Sequence, residues 1–201
     1  MIEEIIQREW DFFQRVQHID GRASCQDDFE TFYLQRKSQF QAFYQDVRVS
    51  YLQDLKDAQK VGRNLVMEKY AYMMEFTDPL YFRTIKEYLP VIDESKRQLV
   101  DSICEIEVSM REEFNQQYPA LAHLARSTHR QDDEIDDTSF ETYLRGELFT
   151  YSPHTLYLYG QMIAEMVQHK QNIVIITMEY TVKSYGYASL EEAQQFYEKH
   201  E

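Results

Sequence analysis

Apolar residues recur every three to four positions through most of the chain, the period of helices that bury one face. Over residues 1–18 the apolar positions are Ile2, Ile5, Ile6, Trp10, Phe13 and Val16. Residues 19–28 (IDGRASCQDD) break the pattern, and the short carboxylate of Asp28 suits the cap of a second helix beginning near it. Further helices are predicted over roughly 46–60 and 64–76, and Thr77-Asp78-Pro79 reads as a cap followed by a first-turn proline. Residues 93–117 carry the clearest stripe, Leu99, Ile103, Ile106, Met110 and Phe114, with charged residues between, and Pro119 ends it. Residues 127–138 read as an exposed loop. Beyond it, Thr138 to Glu141 is a capping-box pattern, Ser152-Pro153 starts another helix, and Ser189 to Glu192 opens a short last one.

The run Ile173-Val174-Ile175-Ile176 is β-branched and by itself suits a buried strand. Comparison of the two halves of the chain points the other way. Phe29-Glu30-Thr31-Phe32 resembles Phe140-Glu141-Thr142-Tyr143. Arg36 then matches Arg145, Tyr51 matches Tyr159, Leu55 matches Ile163, Asn64 matches Asn172 and Tyr72 matches Tyr180. Upstream, Ile5 and Glu9 align loosely with Ile103 and Glu107. The offset shrinks from 111 to 108 residues, a small net deletion in one half. Residues 172–185 thereby occupy the place of a helix-forming region around Met67 to Met74, and are read as a buried central helix. The expected fold is an all-α, irregular bundle of eight to ten helices. It forms one domain with a possible internal repeat of 1–92 and 93–188.

With 201 residues, the chain is long enough to enclose a core without metals or disulfides. Five glycines and four prolines suit long helices with few tight turns, and 16 tyrosines and 12 phenylalanines make rings the main core material. The net charge of −14 repels phosphate backbones, so nucleic acid is not an expected partner. No basic leader opens the chain, and no apolar run is long enough to span a bilayer. The expected setting is the cytoplasm, with no membrane association and with Cys25 and Cys104 reduced.

Signatures of known chemistry are incomplete. Neither a His-Glu-x-x-His nor a Glu-x-x-His pair occurs, and Glu165 with His169 reads as a surface ion pair. The acidic run from Asp132 to Asp137 lacks the glycine and distal glutamate of a calcium loop. There is no Walker motif and no GxGxxG, and no metal or cofactor is expected. Two polar segments stand out. One runs from Gly21 to Asp28 and on through Thr31 and Arg36 to Phe40, with a thiol, an amide, carboxylates and cations close together. Its bland reading is a capped helix in which Arg36 pairs with Asp28 or Glu30. The other is Gly62-Arg63-Asn64, either a nest for an anion or a helix–helix turn with Asn64 as cap. The candidate ligand-binding residues are Arg22, Cys25, Gln26, Asp27, Asp28, Arg36, Gln39, Arg63 and Asn64.

The strings GRASCQDD, TF, RKSQF, GRNL, EKYA, TSFETYLRGEL and YGYASLEEA, spread over nearly the whole chain, resemble an uncharacterised bacterial family. That resemblance implies a bacterial cytosolic protein and supplies no activity or catalytic residues. The family-like pattern is broken where Gln171 stands in place of a second-half arginine. The leading expectation is a non-catalytic binding or interaction protein for a small polar ligand or a protein partner. The alternative is an enzyme acting on a nucleotide or phosphoester.

Overall fold

Short polar side chains set the helix starts. Asp28, Asn64, Asp78, Asp93, Ser139, Ser152, Asn172 and Ser189 each accept a first-turn backbone N–H. The computed structural model describes residues 1–16, 21, 23–134 and 137–200. Among them are eleven α-helices and no strand. The helices are α1 (Ile2–Phe13), α2 (Phe29–Ala42), α3 (Gln45–Lys60), α4 (Leu65–Thr77), α5 (Pro79–Ile85), α6 (Glu94–Gln117), α7 (Pro119–His123), α8 (Phe140–Thr150), α9 (Pro153–Gln168), α10 (Ile173–Ser184) and α11 (Leu190–Glu198).

The all-α expectation holds, with one helix more than the upper end of the expected count. Short α5 and α7 both begin with a proline, which in α5 follows the capping Asp78. The cap before α8 is Ser139 rather than Thr138; Ser139 accepts from Thr142 N at 3.2 Å. The Ile173-Val174-Ile175-Ile176 run is helical because Asn172 caps it, accepting from Val174 N and Ile175 N. It is not fully central: Ile173, Val174, Thr181 and Val182 are buried, while Ile175, Ile176 and Met178 are only partly covered.

Two series of helices run in the same order, α1–α2–α3–α4 and α6–α8–α9–α10. The first member of each touches the other three of its own series. Across the series, α4 lies on α8, α10 lies on α2, and α3 meets α9. Both α3 and α9 end in a left-handed residue, Gly62 at φ +74° and Lys170 at φ +55°. In both, the next residue bonds back five positions: Arg63 N to Ala58 O at 2.9 Å and Gln171 N to Met166 O at 2.8 Å. Between α3 and α9 the rings of Phe40, Phe43, Tyr51, Tyr151 and Tyr159 pack with centroids 5.0–5.8 Å apart. Gly146 brings α8 against α4, where a Cβ would stand 2.9 Å from Lys69 O.

Candidate functional site: a buried ionic cluster and an open groove

Glu9 occupies the apolar stripe of α1, between Ile5, Ile6, Phe12 and Phe13, and is 2% exposed. A carboxylate there requires partners, because an isolated buried charge is far costlier than a paired one. Arg36 of α2 supplies two bonds, Nε to Oε2 at 2.7 Å and Nη2 to Oε1 at 2.5 Å. Tyr51 of α3 adds its hydroxyl at 2.7 Å. Arg36 also reaches Glu147 of α8 at 3.1 and 3.2 Å. Lys69 of α4 donates to Glu147 at 2.6 Å, and Gln39 and Tyr151 donate to the same carboxylate at 3.0 and 3.3 Å. Two cations and two carboxylates from α1, α2, α4 and α8 are therefore locked together.

The electrostatics follow from this arrangement. Burial alone would raise the Glu147 carboxyl, but the Arg36 and Lys69 charges outweigh burial and hold it well below the usual carboxylate range. Burial would likewise lower Arg36, and Glu147 and Glu9 more than reverse it. Burial drives the Tyr51 and Tyr151 phenols well up, so both stay neutral donors. Lys69 also lies over the Tyr143 ring, 3.4 Å from its centroid, with Arg126 4.6 Å from the same centroid. Burial would raise the Tyr143 phenol, yet the Lys69 and Arg36 charges bring it down overall. The cavity that these groups enclose is about 20 Å³, space for roughly one water molecule.

The second series of helices repeats the carboxylate and the phenol but not the cation. Tyr159 donates to Glu107 at 2.7 Å, and Glu107 is 3% exposed. Arg145, the sequence match of Arg36, turns instead to Asp101 and Glu141. Burial, unopposed by a positive charge, pushes the Glu107 carboxyl up to about 8. The asparagine caps do repeat: Asn64 Nδ2 donates to Phe12 O and Asn172 Nδ2 to Met110 O, both at 2.8 Å.

Of the residues singled out in the sequence, Arg36 and Gln39 enter the cluster. Arg36 pairs with Glu9 and Glu147, not with Asp28 or Glu30. Asp28 caps α2 through Thr31 N at 3.0 Å. Gln26 is buried and ties its loop to Phe13 O and Val16 O at 2.7 and 3.1 Å. Asp27 and Cys25 are exposed on the 3-10 turn Ser24–Asp27. Arg63 forms a two-pronged pair with Glu68 at 2.8 and 2.6 Å, and Asn64 caps α4. Arg22 lies outside the described residues. Glu9, Lys69 and Glu147 were absent from the sequence-derived set. Their signal was a charged residue on an apolar stripe, visible for Glu9 at i+4 from Ile5.

A second concavity runs between α3 and α9. It is an open groove of about 930 Å³ lined by Asp46, Asp54 and Asp57, by Val49 and Leu158, and by His154. Val49 is half exposed. Asp54 also accepts from Ser152 N at 2.9 Å, and Asp57 from Lys60 at 2.7 Å.

An all-α protein whose two helix series are clamped by a buried ionic cluster is the class that fold and site define. Residues 1–195 match the family model described as "Protein of unknown function (DUF4125)", and the chain belongs to that family. No curated protein and no solved structure matches it. Among the described residues no helix is long and apolar enough to cross a membrane.

Proposed function

We propose that this chain is a non-catalytic interaction protein whose α3/α9 groove docks a basic, amphipathic segment of a protein partner. The observation that carries this reading is the groove itself: apolar Val49 and Leu158 lie beside three carboxylates in a volume suited to side chains of a partner. A net charge of −14 adds long-range attraction for a cationic segment and disfavours nucleic acid. The ionic cluster is read as structural, since its charges neutralise one another around space for about one water. The parallel Glu9–Tyr51 and Glu107–Tyr159 pairs, and the parallel asparagine caps, support an origin by internal duplication of 1–92 and 93–188. Free thiols at Cys25 and Cys104 suit a cytoplasmic setting.

The test is fluorescence anisotropy with a labelled synthetic peptide alternating leucine and lysine at helical spacing. Binding is expected to weaken severalfold in Asp46→Asn/Asp57→Asn and with added salt. A control variant removes two carboxylates elsewhere, Glu87→Gln/Glu198→Gln, and is expected to bind like the parent protein. Equal weakening by both pairs of substitutions would mean that only net charge attracts the peptide, and the groove would lose its role.

A further inference from the structure

Arg111 of α6 is 5% exposed in a chain with 35 acidic residues, yet it forms no ion pair and no side-chain hydrogen bond among the described residues. The carboxylates next to it in sequence and on the segment leading into α8 are engaged elsewhere. Glu112 faces His129 at 3.1 Å, Glu113 accepts from Asn172 at 3.0 Å, Asp133 accepts from Ser139 N and Thr142, and Glu141 meets Arg145. What surrounds the guanidinium is aromatic: Phe114 and Phe140, with centroids 5.3 and 5.8 Å away. Burial lowers its pKa with no neighbouring charge to oppose it.

Three polar atoms in this region are buried and unpartnered: Arg111 Nε, Asn115 Oδ1 and Ser127 Oγ. Arg111 and Asn115 are one helical turn apart on the same face of α6. Asn115 Nδ2 binds Thr128 Oγ1 at 2.9 Å, which ties the residue after Ser127 to this face of α6. Ser127 O in turn accepts from Phe140 N at 2.8 Å, next to the ring under the guanidinium. Two other arginines also keep a buried, unpartnered Nε, but Arg48 is only partly buried and Arg145 has Asp101 and Glu141. A buried cation without a counter-charge, with an unpartnered hydroxyl on the loop that packs against its helix, leaves donors in need of an acceptor.

We propose that Arg111 and Ser127 bind a small oxyanion, a carboxylate or a phosphate, at the junction of α6 with the loop leading into α8. The site is separate from the α3/α9 groove, and its failure would leave that reading untouched. Aromatic walls lower the local dielectric and strengthen the contact of a guanidinium with an anion.

The experiment is thermal unfolding of the full chain in millimolar inorganic phosphate or acetate, against chloride at matched ionic strength. A midpoint rise of a few degrees is expected with at least one oxyanion. A response to phosphate alone assigns phosphoryl ligands; a response to acetate alone assigns carboxylates. Arg111→Met retains the packing between the two rings and should abolish the rise. Ser127→Ala, which leaves the core intact, should weaken binding about threefold to tenfold by calorimetric titration. Parent and Arg111→Met proteins rising equally would overturn the proposal. So would the absence of any rise in the parent, or unchanged affinity in Ser127→Ala.

Discussion

Glu9 and Glu107 occupy like positions, one on α1 and the other on α6, but Arg36 reaches the first, and among the described residues no cation bonds to the second. The consequence is a pH dependence with a definite sign. Glu107 has a folded-state pKa of about 8 against 4.5 for the free side chain. Between those values the native protein holds a proton that the unfolded chain has released, so stability falls as pH rises through that window. The full loss is on the order of a few kcal/mol. Glu147, held low, has the opposite sign, and its contribution is lost only in acid below the ordinary carboxylate range. Glu107→Gln keeps an acceptor for Tyr159 and removes the titration. Urea unfolding at pH 5 and pH 8.5 should show the variant gaining on the parent protein at the higher pH. A difference between the two proteins that stays the same at both pH values would refute the assignment.

At the scale of elements, two glycines in helices make contrasting predictions. A Cβ on Gly146 would stand 2.6 Å from Met73 Cγ and 2.9 Å from Lys69 O, where backbone cannot yield cheaply. Gly146→Ala should cost about 1–3 kcal/mol in chemical denaturation and disturb Lys69 with it. A Cβ on Gly160 would meet Ile103 Cδ1 at 3.4 Å, an ordinary contact. Gly160→Ala should be neutral or stabilise by up to about 1 kcal/mol through helix propensity. Elements were the most legible level of the sequence. Asp28, Ser152 and Ser189 marked helix starts by their chemistry, and the stripe through Ile103, Met110 and Phe114 marked α6. Ile173 to Ile176 became legible as helix through the match of the two halves, which puts them in the place of the helix-forming region around Met67 to Met74. The ionic cluster was half legible. Arg36 and Gln39 stood in a conspicuously polar segment, but their partners lie 27 and 111 residues from Arg36. Local pattern carries no information on such pairings, so Asp28 and Glu30 looked like nearer choices.

For the whole molecule, the decisive contacts cross between the two helix series: α4 on α8, α10 on α2, and Lys69 and Arg36 on Glu147. The buried apolar residues form one cluster drawn from both series. Fragments 1–92 and 93–201 expressed singly should therefore lack a cooperative thermal transition, while co-expression should restore one. Cooperative unfolding by either fragment alone would contradict the crossed arrangement. The test also bears on the proposed duplication, since an ancestral single copy of this kind would have needed a second copy to fold.

The crossing has a bearing on how the protein is made. Helix α4 ends at Thr77 and its cover, α8, begins at Phe140. A ribosome adding about 5–20 residues per second needs roughly 3 to 13 seconds to synthesise the interval. Throughout that delay the ring-rich face of the nascent chain has no cover, and Lys69 has no counter-charge. The emerging polypeptide is thus a natural client for holding factors at the tunnel exit, and slowing translation across residues 78–139 should lengthen its dependence on them.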